Sequence, residues 1–224
     1  QRFILFQMTI NVAACIIVLI GAFLGTESPI TVTQMLWVNL IMDTFAAMAL
    51  ASLPPTERVM RNKPRKTTDF IINRPMAYTI CGVGLMFVLL LFGLLQYFKH
   101  EDVTSLSDFS IASFLFNYFN FISVPEGLSP YELSMFFTVF VMLQFWNMFN
   151  AKAFYTGKSA FSCMVGSKGF LLIALVILVG QVVIVTIGGK MFNVVPIKPM
   201  DWVLIVASTS VVLWIGELFR LVRK

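Results

Sequence analysis

The chain has 224 residues, 58% of them apolar and 12% charged, about half the charged share of an ordinary water-soluble domain. That balance excludes a soluble globule. The net charge of +5 does not point to nucleic acid, because the basic residues sit in short segments beside apolar runs, where they orient a membrane protein.

Six charge-poor runs follow in order, at 3–24, 31–53, 76–98, 133–150, 169–187 and 202–219. Each has about 18 to 23 residues, enough to cross a ~30 Å hydrocarbon layer at 1.5 Å per helical residue. All are expected to be helices: a spanning helix pairs its own backbone groups in lipid, and no alternation of lipid-facing and lumen-facing residues suggests a barrel. The predicted fold is therefore an all-α polytopic membrane bundle of six transmembrane helices forming one transmembrane domain.

The basic residues orient it. If the chain starts inside, the inner segments hold Arg2, then Arg58, Arg61, Lys63, Arg65, Lys66 and Arg74 around the loop 54–75. Lys152, Lys158 and Lys168 follow, then Arg220, Arg223 and Lys224. Thirteen of the 16 basic residues then lie inside and only Lys99, Lys190 and Lys198 outside, so both termini are expected to be cytoplasmic. The apolar stretch 109–124 has 16 residues, short for a crossing, and a seventh span would turn every later basic segment outward. It is read as an interfacial or re-entrant segment in an outer loop, 99–132.

Cys15, Cys81 and Cys163 lack metal-ligand spacing and are expected to be buried free thiols. Trp37 and Trp202 read as interface anchors, Trp146 and Trp214 as packing residues. His100 reads as inert surface and Glu217 as structural. The chain opens on Gln1 and runs straight into an apolar helix, so it is expected to be part of a longer protein.

Asp43 is the acid that lies deep in a span, where an aspartate costs about 2.5 to 3.5 kcal/mol on insertion scales. Asn39 precedes it by four residues, so in an α-helix both side chains share one face, one turn apart. Asn11 on the first span and Gln144 on the fourth are near the same depth, though either carboxamide can also simply join helices. Oxygen ligands of this kind suit a hard cation, Ca²⁺ taking about 6 to 8 of them, and no deep His or Cys suggests a softer metal. The candidate metal residues are Asn39, Asp43 and Asn11, with Gln144 as a fourth. One carboxylate and three amides are too few for a divalent ion, so further ligands must come from elsewhere.

The run 34–65, QMLWVNLIMDTFAAMALASLPPTERVMRNKPR, resembles the sixth membrane helix and following cytoplasmic loop of P-type Ca²⁺-transporting ATPases. FQMTINVAACIIV at 6–18 resembles their fifth helix, and VFVMLQFWNMFNAK at 139–152 their eighth. Six spans with an inward start then match the last six of ten helices. The resemblance implies that Asn39 and Asp43 bind the transported ion with a Glu on a fourth helix that lies outside this chain. At the second site of the two-ion pumps the corresponding residues here are Ala14, Met42 and Gln144, none of them the matching ligand. The sequence is thus similar to the plasma-membrane type, which implies one Ca²⁺ per cycle with proton countertransport, and export from the cytoplasm. VPEGLSP at 124–130 is similar to the proline-broken fourth-helix motif, but its position assigns Glu126 to the outer loop.

No DKTGT phosphorylation motif and no nucleotide-binding domain occur in the chain, so no catalytic residue is expected in it and ATP and Mg²⁺ belong to cytoplasmic domains elsewhere. The expected partners are the preceding part of the same pump and membrane lipids; the expected location is the plasma or bacterial inner membrane. The basic loop 54–75 is expected to fix topology and, by the resemblance, to pass movement from the phosphorylation domain to the sixth helix. The rival readings are a passive six-helix cation channel or secondary transporter, a non-catalytic membrane scaffold, and a P-type pump for another cation such as Mn²⁺.

Overall fold

The computed structural model describes residues 2–23, 29–51, 70–122, 127–154, 156, 159–164 and 167–222. Among these the chain is helical, without a strand. In order come α1 (Arg2–Phe23), α2 (Val32–Leu36), a π-helical turn (Trp37–Met42) and α3 (Asp43–Ala51). Then follow α4 (Arg74–His100), α5 (Ile111–Asn117), α6 (Pro130–Ala153), α7 (Ala160–Met164), α8 (Lys168–Ile187), α9 (Gly189–Phe192), α10 (Pro199–Thr209) and α11 (Val211–Val222). Six helical stretches are long and apolar enough to cross a membrane: Arg2–Phe23, Val32–Leu50, Arg74–His100, Pro130–Ala153, Lys168–Ile187 and Pro199–Leu221.

Several helices begin on local caps. Asn73 accepts from the Met76 amide with Pro75 in the first turn of α4. Ser129 and Glu132 form a reciprocal capping box at the start of α6, and Thr31 and Gln34 form one at α2. Each box satisfies amides that a helix start leaves unpaired. These caps lie in polar flanks, which is why α4 and α6 extend beyond the apolar runs that suggest them.

Two spans depart from a continuous α-helix. The second contains the π-helical turn, where the backbone hydrogen bonds run i→i+5. The sixth breaks between α10 and α11 at Ser210, where the Thr209 and Ser210 hydroxyls donate to the carbonyls of Ile205 and Ala207, each at 2.6 Å. Such back-bonding draws the hydroxyl into the carbonyl ladder and bends helices.

The bundle is built around α6, which packs against α1, α4, α8, α10 and α11. Phe136, Phe137 and Phe140 on it are fully buried. Helix α1 packs along α4 and also touches α3 and α6, while α3 and α6 both touch α8, so α1, α3, α8 and α6 make a closed ring of contacts. Arg2 Nε donates to the Phe154 carbonyl at 3.1 Å, fixing the start of α1 beside the end of α6.

Residues 111–118 lie against α4. A Cβ on Gly93 would fall 2.5 Å from the Phe114 ring and 2.6 Å from that of Tyr118, so glycine is what permits the approach. The Tyr118 hydroxyl donates to the Leu89 carbonyl at 3.0 Å, eleven residues before the end of α4. Leu115, Phe116, Phe119 and Phe121 remain exposed. With seven residues, α5 cannot cross a membrane.

Three expectations are corrected. Cys15 and Cys81 are exposed instead of buried, because both lie on outward helix faces that are apolar throughout, where a thiol is tolerated; the Cys163 side chain lies outside the described residues. Trp214 is 60% exposed, touching Phe161 with ring centroids 5.2 Å apart, in place of the packing role expected. His100 is half-buried, its Nδ1 lying 2.9 Å from the Gln96 carbonyl oxygen. Glu126, the loop 54–69 and residues 223–224 also lie outside the described residues.

Candidate cation site in the membrane

The polar side chains inside the spans are distributed over neighbouring helices. Asn11, half-buried on α1, and Gln144, fully buried on α6, are each nine residues from the ends that the Arg2–Phe154 bond brings together. At 1.5 Å per residue both lie about 14 Å inside the bundle, at one level.

Gln144 has neither amide atom hydrogen-bonded, and the Asn147 amide nitrogen, 2% exposed, is also unpaired. The two are three residues apart on the same face of α6. A buried polar group without a partner costs about 1 to 3 kcal/mol, so this face of the central helix carries polar groups that the described residues do not satisfy.

Asn39 sits in the π-helical turn and is exposed. Asp43 is the first residue of α3, directly after that turn, and its side chain lies outside the described residues. π-Helical turns occur preferentially at functional sites, since the widened backbone displaces side chains from the regular register. Trp37, which opens the turn, is held from α8: its Nε1 donates to Gln181 Oε1 at 2.9 Å, with Gln181 fully buried. A Cβ on Gly180 would lie 3.0 Å from the Trp37 ring. One turn earlier, Gln34 Nε2 donates to the Phe192 carbonyl at 2.8 Å. Trp37 is thus a buried-amide partner joining two spans, a closer tie than the interface anchor expected of it.

Ala14 is fully buried. Among the described residues no group of three or more His, Cys, Asp or Glu could hold a metal ion. What the bundle offers is carboxamides, with Asp43 next to them in sequence.

A family model described as the C-terminus of cation-transporting ATPases matches residues 27–222. The chain belongs to that family. This cation-transporting ATPase chain is 34% identical over 219 residues to plasma membrane calcium-transporting ATPase 2 of Oreochromis mossambicus, covering 97% of the chain and 18% of that relative. It is also 34% identical over 203 residues to plasma membrane calcium-transporting ATPase 3 of Homo sapiens, and to type 1 of Gallus gallus over the same length, covering 90% of the chain and 16% of each relative. It therefore spans less than a fifth of the curated relatives it matches.

In this ATPase segment the residues that sequence reasoning missed are Asn147, Gln181 and Gly180. Asn147 lies three residues from Gln144, a spacing that could have found it. Gln181 stands alone among apolar residues of a span, GQVV, and a polar residue there is costly enough to have been a signal. Gly180 carries none, since its importance depends on the partner ring.

Proposed function

We propose that this chain is the membrane portion of an ATP-driven P-type calcium pump, holding part of a single mid-bilayer Ca²⁺ site and exporting Ca²⁺ across the plasma membrane. Asp43 supplies the anionic ligand, Asn39 a neutral oxygen and Asn11 a further one. Gln144 stands at Asn11's level. The observation that carries this reading is the unpaired, fully buried carboxamide of Gln144, level with Asn11 on an adjacent helix, in a bundle whose second span breaks into a π-helical turn at Asn39. The names of the relatives support Ca²⁺ as the cargo.

Asn39 is exposed on this chain, which fits a site completed by a helix outside it carrying a second acid. Both termini face the cytoplasm: the helix ends bearing Arg2, Arg74, Lys152 and Arg220 belong to one side of a six-span topology. The whole chain forms one transmembrane domain, and the segment 109–122, packed along α4, is interfacial or re-entrant on the outer side. ATP and Mg²⁺ act in cytoplasmic domains elsewhere in the protein, whose phosphorylation alternates the exposure of the site. When Ca²⁺ leaves, Asp43 takes up a proton, since a desolvated carboxylate resists remaining charged. Ca²⁺ export is thereby coupled to inward proton transfer.

The test uses the complete protein. Asp43→Asn abolishes Ca²⁺-stimulated ATP hydrolysis, and Asn39→Ala raises the Ca²⁺ concentration needed for it; unchanged hydrolysis in Asp43→Asn contradicts the assignment.

A further inference from the structure

Helix α1 carries a second carboxamide that the proposed site does not use. Gln7 stands four residues before Asn11, about 6 Å along the helix and on the same face. Both are half-buried, neither has a hydrogen bond among the described residues, and the amide atoms of both keep accessible surface. Two open carboxamides therefore follow one another along one edge of α1.

That edge lies away from α4. A Cβ on Gly84 of α4 would fall 3.7 Å from Val12 Cγ1 and 4.0 Å from the Thr9 carbonyl oxygen. At about 100° per residue, Gln7 and Asn11 sit about 100° or more around the helix from those two contacts. The other helices against α1 are α6 and α3, and α3 begins at Asp43. Between Arg2 and Asn11 the polar side chains of α1 are Gln7 and Thr9. Thr9 is buried and its hydroxyl donates to the Leu5 carbonyl at 2.8 Å. Of the two, Gln7 is thus the one with an oxygen to offer, about 8 Å inside Arg2.

A cation that enters a membrane bundle trades its water for protein oxygens, and polar side chains within spans face the bundle interior or a water-filled cavity. We propose that Gln7 is a transit residue for the cation, its carboxamide oxygen taking up Ca²⁺ between the Arg2 end of the bundle and Asn11 and passing it inward. This rests on the reading of Asn11 and Asp43 as ligands and of the Arg2 end as cytoplasmic. Standing one turn before Asn11, Gln7 meets the ion on its way and not in the filled site. It therefore lowers the barrier in both directions and leaves the affinity of the site alone.

The test uses the complete protein in detergent without ATP, with radioactive Ca²⁺ as probe and rapid filtration to follow its binding and its exchange against unlabelled Ca²⁺. Gln7→Leu keeps the size of the side chain and removes its oxygen. It is expected to slow association and dissociation alike, each about tenfold, as the loss of one polar contact at a barrier does. The equilibrium affinity is expected to stay within about twofold of the parent, since equal changes in the two rates cancel. Gln7→Glu adds a negative charge to the path and is expected to speed association, more so at low ionic strength. An unchanged association rate in either variant overturns the proposal. So does an affinity loss in Gln7→Leu that comes from faster dissociation alone, the mark of a ligand to the bound ion. Failure of the underlying site shows separately, as parental Ca²⁺ binding in Asp43→Asn with Gln7 intact.

Discussion

The indole nitrogen of Trp37 donates to the carboxamide of Gln181, 2.9 Å away and fully buried on a helix 144 residues further along the chain. That bond anchors the residue at which the second span leaves α-helical geometry. The position of Asn39 therefore depends on α8, which carries no candidate ligand of its own. Gln181→Leu leaves the indole N–H unpaired at a cost of about 1 to 3 kcal/mol. In the complete pump it is expected to raise the Ca²⁺ concentration for half-maximal ATP hydrolysis while maximal turnover is largely kept. Gly180→Val, which pushes on the same ring, should shift that concentration the same way. Trp37 fluorescence reports whether the ring has moved.

Gln144 separates a ligand from a packing residue by opposite signs. Both its amide atoms are buried without partners, so replacing it by the similarly sized Leu removes an unsatisfied group and should stabilise the folded bundle by about 1 to 3 kcal/mol. If the carboxamide meets the ion pathway, the same Gln144→Leu change weakens Ca²⁺ activation. A thermal shift measured with and without Ca²⁺ reads both effects on one sample, with the variant more stable in the absence of the ion and less stabilised by adding it.

Much of this architecture is legible in the sequence, because hydrocarbon imposes one strong rule: backbone groups pair within the helix, and the helix must be long enough. Six apolar runs therefore give six helices. The π-helical turn at 37–42 is not legible, since WVNLIM is as apolar as a regular span and its backbone depends on contacts such as Trp37 with Gln181. The break at Ser210 leaves a faint trace in the adjacent Thr209 and Ser210. Asn11 and Gln144 are singled out as candidates from depth alone, because one residue number converts to one height along a helix. Asn147 is missed because it sits in an Asn-rich stretch near the helix end, where a polar residue is cheap. Cys15 and Cys81 mislead because thiols in soluble proteins usually go inside, whereas a membrane bundle has an apolar exterior as well.

The packing of residues 111–118 on α4 depends on Gly93. Gly93→Val places side-chain atoms where the Phe114 and Tyr118 rings lie, an overpacking that costs about 1 to 3 kcal/mol. The segment is expected to detach, breaking the Tyr118–Leu89 hydrogen bond. A cysteine introduced at the exposed Phe116 should then react faster with a membrane-impermeant thiol reagent than in the parent. An unchanged rate would place that segment independently of Gly93.

Asp201, in the first turn of α10, ties that helix to α6 and to the segment before α5. Fully buried, it accepts from the Ser105 hydroxyl and the Leu106 amide at 2.9 Å, and from the Tyr131 hydroxyl at 2.6 Å. Asp201→Ala removes the acceptor shared by these three half-buried donors and should destabilise the bundle by about 3 kcal/mol, at about 1 kcal/mol for each hydrogen bond lost. Urea unfolding of the complete protein in detergent checks the size. Tyr131→Phe removes one of these bonds and also the acceptor of the Lys198 amide, 3.1 Å away, and should cost about two thirds as much.

In the proposed function Asp43 is kept in the hydrocarbon layer because a cation sits against it. Equilibrium binding of radioactive Ca²⁺ to the complete protein, in the absence of ATP, addresses this without passing through turnover. One Ca²⁺ per molecule is predicted for the parent and none for Asp43→Asn at the same free Ca²⁺. A well-folded Asp43→Asn protein that still holds its Ca²⁺ with parental affinity would rule out Asp43 as the ion's anionic ligand.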